Sequence, residues 1–204
     1  MFDLPTIRTV LRDNPTDPPA PSRTMAAVAM ALAGAPNDLQ LCFILRATRP
    51  GDRWSGQMAF PGGKAETDDP TAEAVAIREA HEEVGLRLDD AESLGALPLV
   101  SMRPLAGELG VLSPFAFYVG RRLPQLSPNA DEVEDAWWIP LAHLWDEGQR
   151  DTIDWEHKGQ TLQFPGIRFG GQIIWGLTFR VLAQWSSQLG AAIPGANDKP
   201  KMRR

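Results

Sequence analysis

One helix constrains the fold of this chain more than any other segment. Residues 71–84, TAEAVAIREAHEEV, contain no glycine or proline, so they predict an uninterrupted helix. Asp69 or Thr71 can cap the first turn, Pro70 suits the start of a helix, and Gly85 suits its end. The segment therefore predicts a helix with defined ends, around which the rest of the domain must pack.

The two sides of this helix differ in chemistry. Its apolar side is formed by Ile77, Ala80 and Val84. Its acidic side is formed by Glu79, Glu82 and Glu83, which fall within a narrow arc. Carboxylates at this spacing repel one another, and Arg78 neutralises only part of their charge. Two interpretations remain open from the helix alone: a solvated, salt-bridged surface, or a set of ligands for a divalent cation such as Mg²⁺.

The loop before the helix favours the second interpretation. It reads FPGG and ends in Gly62 and Gly63, whose backbone can approach a ligand closely. The carbonyl of Gly63 can offer a further metal ligand. A glycine loop that leads into a carboxylate-bearing helix predicts a combined phosphate and metal site.

The remaining segments mix strands and helices. TMAAVAMALAG and LQLCFILRAT, separated by the turn sequence APND, predict two paired strands, with a helix as the alternative for the alanine-rich first run. ESLGALPLV, SPFAFYVG and DAWWIPL predict further strands, and LAHLWDEG a short helix. QTLQFPGIRFGGQIIWG predicts a hairpin that leads into a final amphipathic helix, LTFRVLAQWSSQL. This order predicts an α/β or α+β fold with a central mixed sheet.

The chain of 204 residues suits one domain with short extensions. Residues 1–24 predict an arm made of a short helix and a proline-rich extended segment. Residues 25–190 form the predicted main domain, and residues 191–204 a flexible tail.

Composition limits the partners. Hydrophobic residues make up 43% and charged residues 23% of the chain, as in soluble globular proteins. The net charge of −6 disfavours nucleic acid as the main partner. The N-terminal segment MFDLPTIRTVLRDNP has no long apolar stretch, so we expect neither a secretory signal nor a membrane anchor, and a cytoplasmic location. Cys42, the single cysteine, lies in an apolar run and is expected in the core.

The acidic helix and its flanks resemble the Nudix box, the signature of the Nudix hydrolases. That signature is a glycine, a spacer, and the run Arg-Glu-apolar-any-Glu-Glu-any-Gly-apolar, which residues 78–86 match throughout. The spacer is one residue longer than usual, and Glu66, Asp69 and Glu73 lie near the position of its usual glutamate. Four features look like the coenzyme A pyrophosphatase branch: the longer spacer and the segments GQMAFPGG, EVEDAWWIPL and QIIWGLTFRVL. The resemblance therefore covers residues 25–188.

This resemblance implies an α/β/α sandwich and hydrolysis of a nucleoside diphosphate linked to another group, by attack of water on phosphorus. Coenzyme A is the first candidate substrate; ADP-ribose, a dinucleotide or a nucleoside triphosphate are the alternatives, as is a Nudix-fold module that binds a nucleotide without catalysis. An isomerase of isoprenoid diphosphates is a less favoured alternative. Homodimers are common in the family, so a homodimer is also expected.

The resemblance also implies roles for single residues. Mg²⁺, or Mn²⁺, would be held by Glu79, Glu82, Glu83 and the Gly63 carbonyl, and Arg78 would orient a glutamate. The predicted contacts to substrate are Arg46, Arg49, Arg53, Gly62 and Gly63. The general base stays open among Glu82, Glu79, Glu108, Glu132 and Glu134.

Overall fold

The computed structural model describes residues 2–52, 54–102, 110–157 and 159–203. Its helices are α1 (Leu4–Asp13), α2 (Ala72–Val84), α3 (Leu141–Leu144) and α4 (Gly176–Gln188), with one 3-10 turn at Glu147–Gln149. Its strands are β1 (Met25–Ala35), β2 (Asp38–Arg46), β3 (Met58–Ala59), β4 (Gly62–Lys64), β5 (Glu92–Ala96), β6 (Val100–Met102), β7 (Gly110–Tyr118), β8 (Val133–Pro140), β9 (Arg150–His157), β10 (Gln160–Phe169), β11 (Gln172–Trp175) and β12 (Lys201–Met202).

The main sheet has eight strands and is mixed, as the sequence predicts. Its path is β3-β2-β1-β7-β5, with β8 beside β2, β4 beside β1 and β6 beside β7. β1 and β7 are parallel, whereas β1 and β2 pair in antiparallel fashion across the predicted turn. The alanine-rich run is therefore a strand, and the helical alternative for it is wrong.

Alternate residues of β1 pack against helices on opposite faces of the sheet, which gives the predicted three-layer sandwich. On one face, small side chains let α2 come close; this cluster includes Ala27, Ala29 and Ala31 of β1 with Val75, Ala76 and Ala80 of α2. On the other face, larger side chains meet α1 and α4; this cluster includes Met30 and Leu32 with Ile7, Leu182 and Trp185. Cys42 is buried, as expected.

The ends of α2 follow the capping chemistry that the sequence predicts. The Thr71 hydroxyl accepts a hydrogen bond from the Ala74 N–H at 3.1 Å. Gly85 adopts a left-handed conformation (φ 70°), and its N–H reaches the carbonyls of Ala80 and His81. Thr71 is thus the N-cap, while Asp69, the other candidate, bonds to Arg78.

The second sheet departs from the sequence expectations. It contains the predicted hairpin β10–β11, and also β9, which pairs with β10 along its length but was not predicted. The segment after α4 was expected to be a flexible tail, but Ile193 is buried and β12 pairs with β10. The segment is ordered because Ile193 packs into the core and β12 pairs with a strand that is distant in sequence. In the described part of the chain, no helix combines the length and apolar character needed to cross a membrane.

Candidate active site

Three glutamates meet at one point of the structure. One carboxylate oxygen from each of Glu79, Glu83 and Glu132 lies within 4.8 Å of the others. Glu79 and Glu83 are one turn apart on α2, and Glu132 comes from the turn before β8. The helix therefore supplies two members of this acidic triad, and the tertiary fold supplies the third.

Glu83 is the most buried member of the triad, with 2% of its surface exposed. Its carboxylate accepts a hydrogen bond from the Gly62 N–H at 2.8 Å. Burial raises the pKa of Glu83 to about 8, an effect that Glu79 reinforces and the Gly62 hydrogen bond opposes. Without a cation, the site thus disfavours the charged carboxylate.

Glu79 lies against the glycine loop. A Cβ added at Gly63 would stand 2.2 Å from a carboxylate oxygen of Glu79, so only glycine fits while Glu79 keeps this position. Burial raises the pKa of Glu79, although Arg78 opposes the shift. Gly62 is restricted by the backbone itself, because its Cβ would meet the carbonyl oxygen of Ala27 at 2.4 Å.

Arg78 links the glycine loop to the acidic side of α2. Its guanidinium donates two hydrogen bonds of 3.1 Å to Asp69 and one of 3.1 Å to the Lys64 carbonyl. These bonds hold the pKa of Asp69 below its ordinary value. Arg78 also contacts Glu79 at 3.0 Å and Glu82 at 2.9 Å. The forked bond of Arg78 goes to Asp69 and not to a glutamate, and its orienting role stays a prediction.

Glu82 was predicted to share the metal with Glu79 and Glu83. The structure places its carboxylate beside Arg78 with 49% of the side chain exposed, and it is not a member of the acidic triad. Its role as a ligand stays a prediction.

Two further arginines approach the triad from the end of β2 and the loop that follows it. Arg46 lies 3.8 Å from a Glu83 oxygen and 3.1 Å from Asp52. Arg49 lies 3.5 Å from a Glu132 oxygen and also donates to the Asp131 carbonyl. Both were predicted to contact substrate, and both line the cavity next to the triad.

That cavity has a volume of about 400 Å³. Its charged part includes Glu79, Glu83, Glu132, Arg46, Arg49 and Lys64, and the predicted Gly62 and Gly63 also line it. Its apolar part includes Met58, Phe60, Met102, Leu112, Leu177 and Val181. Such a cavity can hold a molecule that has both an anionic group and a less polar group.

Of the remaining candidates, the structure describes only Glu134, which is not in the triad. Glu134 is exposed on β8, and Arg53 and Glu108 lie outside the described residues. Sequence reasoning missed the apolar cavity wall and Trp54, which also lines the cavity. The wall is assembled from strands and a helix far apart in the chain, so no local pattern shows it.

The triad suits a hard divalent cation. Its donors are carboxylate oxygens, which Mg²⁺ and Mn²⁺ accept, and burial raises the pKa of its two most buried members, Glu79 and Glu83. Arg46 also pairs with Asp52, and Arg78 with Asp69 and Glu82, so the acids of this region outnumber the arginines near them. These residues therefore fit a metal ion, which would also attract an anionic substrate.

Comparisons with known proteins identify relatives of similar sequence. The human protein named mitochondrial coenzyme A diphosphatase NUDT8 is 32% identical over 169 residues, covering 80% of this chain and 68% of that protein. Its mouse counterpart is 32% identical over 180 residues, covering 83% of each chain. A protein of Pectobacterium atrosepticum named uncharacterized Nudix hydrolase NudL is 28% identical, covering 84% of this chain and 85% of that protein.

Among solved structures, a MutT/nudix family protein from Enterococcus faecalis is 17% identical, with a TM-score of 0.49, covering 90% of this chain and 66% of that one. The model of the NUDIX domain matches residues 23–162. The chain belongs to the Nudix hydrolase family and is a pyrophosphohydrolase.

Proposed function

We propose that this enzyme uses Mg²⁺, or Mn²⁺, to hydrolyse the diphosphate of coenzyme A or of a related nucleoside diphosphate-linked compound. The observation that carries the proposal is the acidic triad in the wall of a cavity that is also lined by arginines and by apolar side chains. The diphosphate would lie beside the triad, because metal ligands and cationic side chains line the cavity there.

The chain's residues have distinct roles in this proposal. Glu79, Glu83 and Glu132 hold the cation, with the Gly63 carbonyl as a predicted further ligand. A bound cation neutralises diphosphate charge and makes a coordinated water more acidic. Arg78 orients Glu79, and Gly62 fixes Glu83 through its N–H. Gly63 and Lys64 line the cavity where the substrate phosphates would lie.

Hydrolysis also requires a proton acceptor for the attacking water. Among the sequence candidates that the structure describes, Glu79 and Glu132 line the cavity. The proton passes to that carboxylate, the water oxygen bonds to phosphorus, and the bridging P–O bond breaks to release the second phosphate product. Glu82, Glu108 and Glu134 stay as untested candidates for the base.

The substrate class is supported by two observations. The human and mouse relatives are named coenzyme A diphosphatases. The match to this chain covers more than two thirds of the length of each relative. Coenzyme A joins an anionic nucleotide to a long, less charged arm, which suits a cavity lined by both charged and apolar side chains. The apolar wall of Met58, Phe60, Leu177 and Val181 would contact the arm.

A substrate panel tests the proposal. The purified protein is incubated with Mg²⁺ or Mn²⁺ and with coenzyme A, acyl coenzyme A, ADP-ribose, dinucleotides or nucleoside triphosphates, and the products are identified by mass. We expect coenzyme A to yield phosphopantetheine and adenosine 3',5'-bisphosphate. Faster hydrolysis of another member of the panel would reassign the substrate. Light scattering on the same preparation tests the expected homodimer.

A further inference from the structure

Each carboxylate of the acidic triad is accompanied by its own arginine. Arg78 lies 3.0 Å from Glu79, Arg46 lies 3.8 Å from Glu83, and Arg49 lies 3.5 Å from Glu132. Arg78 belongs to the helix motif, but Arg46 and Arg49 come from the end of β2 and the loop that follows it. This pairing of one arginine with each triad carboxylate therefore depends on the tertiary fold.

Arg49 makes more than an ion pair. Its guanidinium contacts both the Glu132 carboxylate and the Asp131 carbonyl, so it binds two acceptors of the turn that carries Glu132. The backbone of Arg49 is itself fixed, because its N–H donates to the Ser55 hydroxyl at 2.9 Å and its carbonyl accepts from the same hydroxyl at 2.9 Å. The Ala47 N–H adds a bond of 2.9 Å to the Glu132 carbonyl.

Arg46 is held in a similar way. Asp52 accepts a hydrogen bond from Arg46 at 3.1 Å and another from the Trp54 N–H at 3.0 Å. The Arg46 guanidinium therefore spans from Asp52 to the buried Glu83. A forked, planar guanidinium can contact two acceptors at once, which the point charge of lysine cannot reproduce.

We propose that Arg46 and Arg49 are positioning residues that hold Glu83 and Glu132 in place for the metal, instead of contacts to substrate phosphates. Glu132 has the greater need for such support, because it lies on a turn whereas Glu79 and Glu83 are fixed by α2. The inference rests on the proposed metal site, but not on the identity of the substrate. It gives the loop after β2 a part in metal binding that the helix motif alone does not include.

Metal binding in the absence of substrate separates the two roles. Mn²⁺ is titrated into wild type, Arg49→Lys and Arg46→Lys, and the free ion is measured by its EPR signal. Both variants keep the positive charge and lose the planar guanidinium with its geometry, so a positioning role predicts Mn²⁺ binding weakened by about tenfold. A contact to substrate alone predicts unchanged Mn²⁺ affinity and a raised KM.

Arg168→Lys is the matched control. Arg168 also contacts one carboxylate, Asp151, and one backbone carbonyl, that of Gly148, with its side chain 53% exposed compared with 45% for Arg49. It is not part of the cavity lining. We expect Arg168→Lys to bind Mn²⁺ as wild type does, while thermal unfolding of all variants reports any general damage.

Steady-state kinetics give a second readout. For Arg49→Lys we expect a lower kcat that excess Mn²⁺ restores, with KM for substrate little changed. Wild-type or tighter Mn²⁺ affinity in both lysine variants would overturn the inference. If wild type binds Mn²⁺ but hydrolyses no coenzyme A, the proposed substrate fails while the positioning role is still measured. If wild type binds no Mn²⁺, the metal site and the positioning role fall together.

Discussion

The backbone N–H of Gly62 donates a hydrogen bond of 2.8 Å to the buried carboxylate of Glu83. This bond joins the glycine loop to the helix across 21 residues of sequence. Beside it, Gly63 leaves the space that the Glu79 carboxylate fills. The two parts of the motif are therefore one physical unit, in which the loop sets the positions of two helix carboxylates.

Replacing Gly63 with alanine should damage the metal site and spare the fold. The new Cβ would stand 2.2 Å from a Glu79 oxygen, and the flexible end of that side chain can move away. We expect Mn²⁺ affinity to fall by about tenfold, measured by EPR titration, with little change in thermal unfolding. Gly148→Ala is the control, because its Cβ meets only the Asp146 carboxylate, at 3.2 Å. Unchanged Mn²⁺ affinity in Gly63→Ala would show that the position of Glu79 does not matter to the metal.

The four glutamates of the site should differ in their importance for metal binding. We expect Glu79→Gln, Glu83→Gln and Glu132→Gln each to weaken Mn²⁺ binding by tenfold or more, roughly, since each removes a charged ligand oxygen. Glu82 pairs with Arg78 and is half exposed, so Glu82→Gln should change Mn²⁺ affinity by only about twofold. The assay is the same titration without substrate. An equal loss in Glu82→Gln would establish Glu82 as a ligand, as the sequence predicts.

Asp69→Asn should destabilise the protein at neutral pH. Asp69 receives the forked bond from Arg78, and its side chain is only 6% exposed. We expect a loss of about 1–2 kcal/mol in the free energy of unfolding at pH 7, measured with urea. Because Arg78 lowers the pKa of Asp69 in the folded state, its contribution is present above the unfolded pKa and is lost as the pH falls through the folded pKa.

The difference between wild type and Asp69→Asn should therefore narrow below about pH 4. The neighbouring exposed residue gives the control, Asp68→Asn, which should unfold like wild type. A constant difference from pH 7 to pH 3 would mean that the carboxylate charge is not what stabilises the loop.

Stability of the metal-free protein should fall as the pH rises. The folded pKa of Glu83 is raised to about 8 from an ordinary value of 4.5, so its contribution is full below pH 4.5 and is lost as the pH approaches 8. The measurement is the free energy of urea unfolding in EDTA between about pH 5 and pH 9, the range of this titration. The dependence of that free energy on pH should be weaker in Glu83→Gln. Added Mg²⁺ should restore stability at high pH, by about 2.7 kcal/mol at a concentration of 100 times its Kd. No effect of Mg²⁺ at pH 8 would contradict a metal site that contains Glu83.

Local sequence patterns predicted the helices and strands whose formation depends on neighbouring residues. The caps at Thr71 and Gly85 and the unbroken run between them fix α2, and the paired apolar runs fix β1 and β2. The unpredicted β9 and the docked β12 are different, because each is a strand only through its pairing with β10. Strands that depend on a distant partner carry a weak signal of their own.

The candidate site divides in the same way. The sequence by itself determined the family, the acidic face of α2 and the glycine loop, because helical periodicity and backbone freedom are properties of neighbouring residues. Only the tertiary structure decided that Glu132 joins Glu79 and Glu83, that Glu82 turns to Arg78, and that Arg46 and Arg49 each meet a triad carboxylate. Helical spacing states which carboxylates share a face, but the loops and strands packed against that face select those that meet in one site.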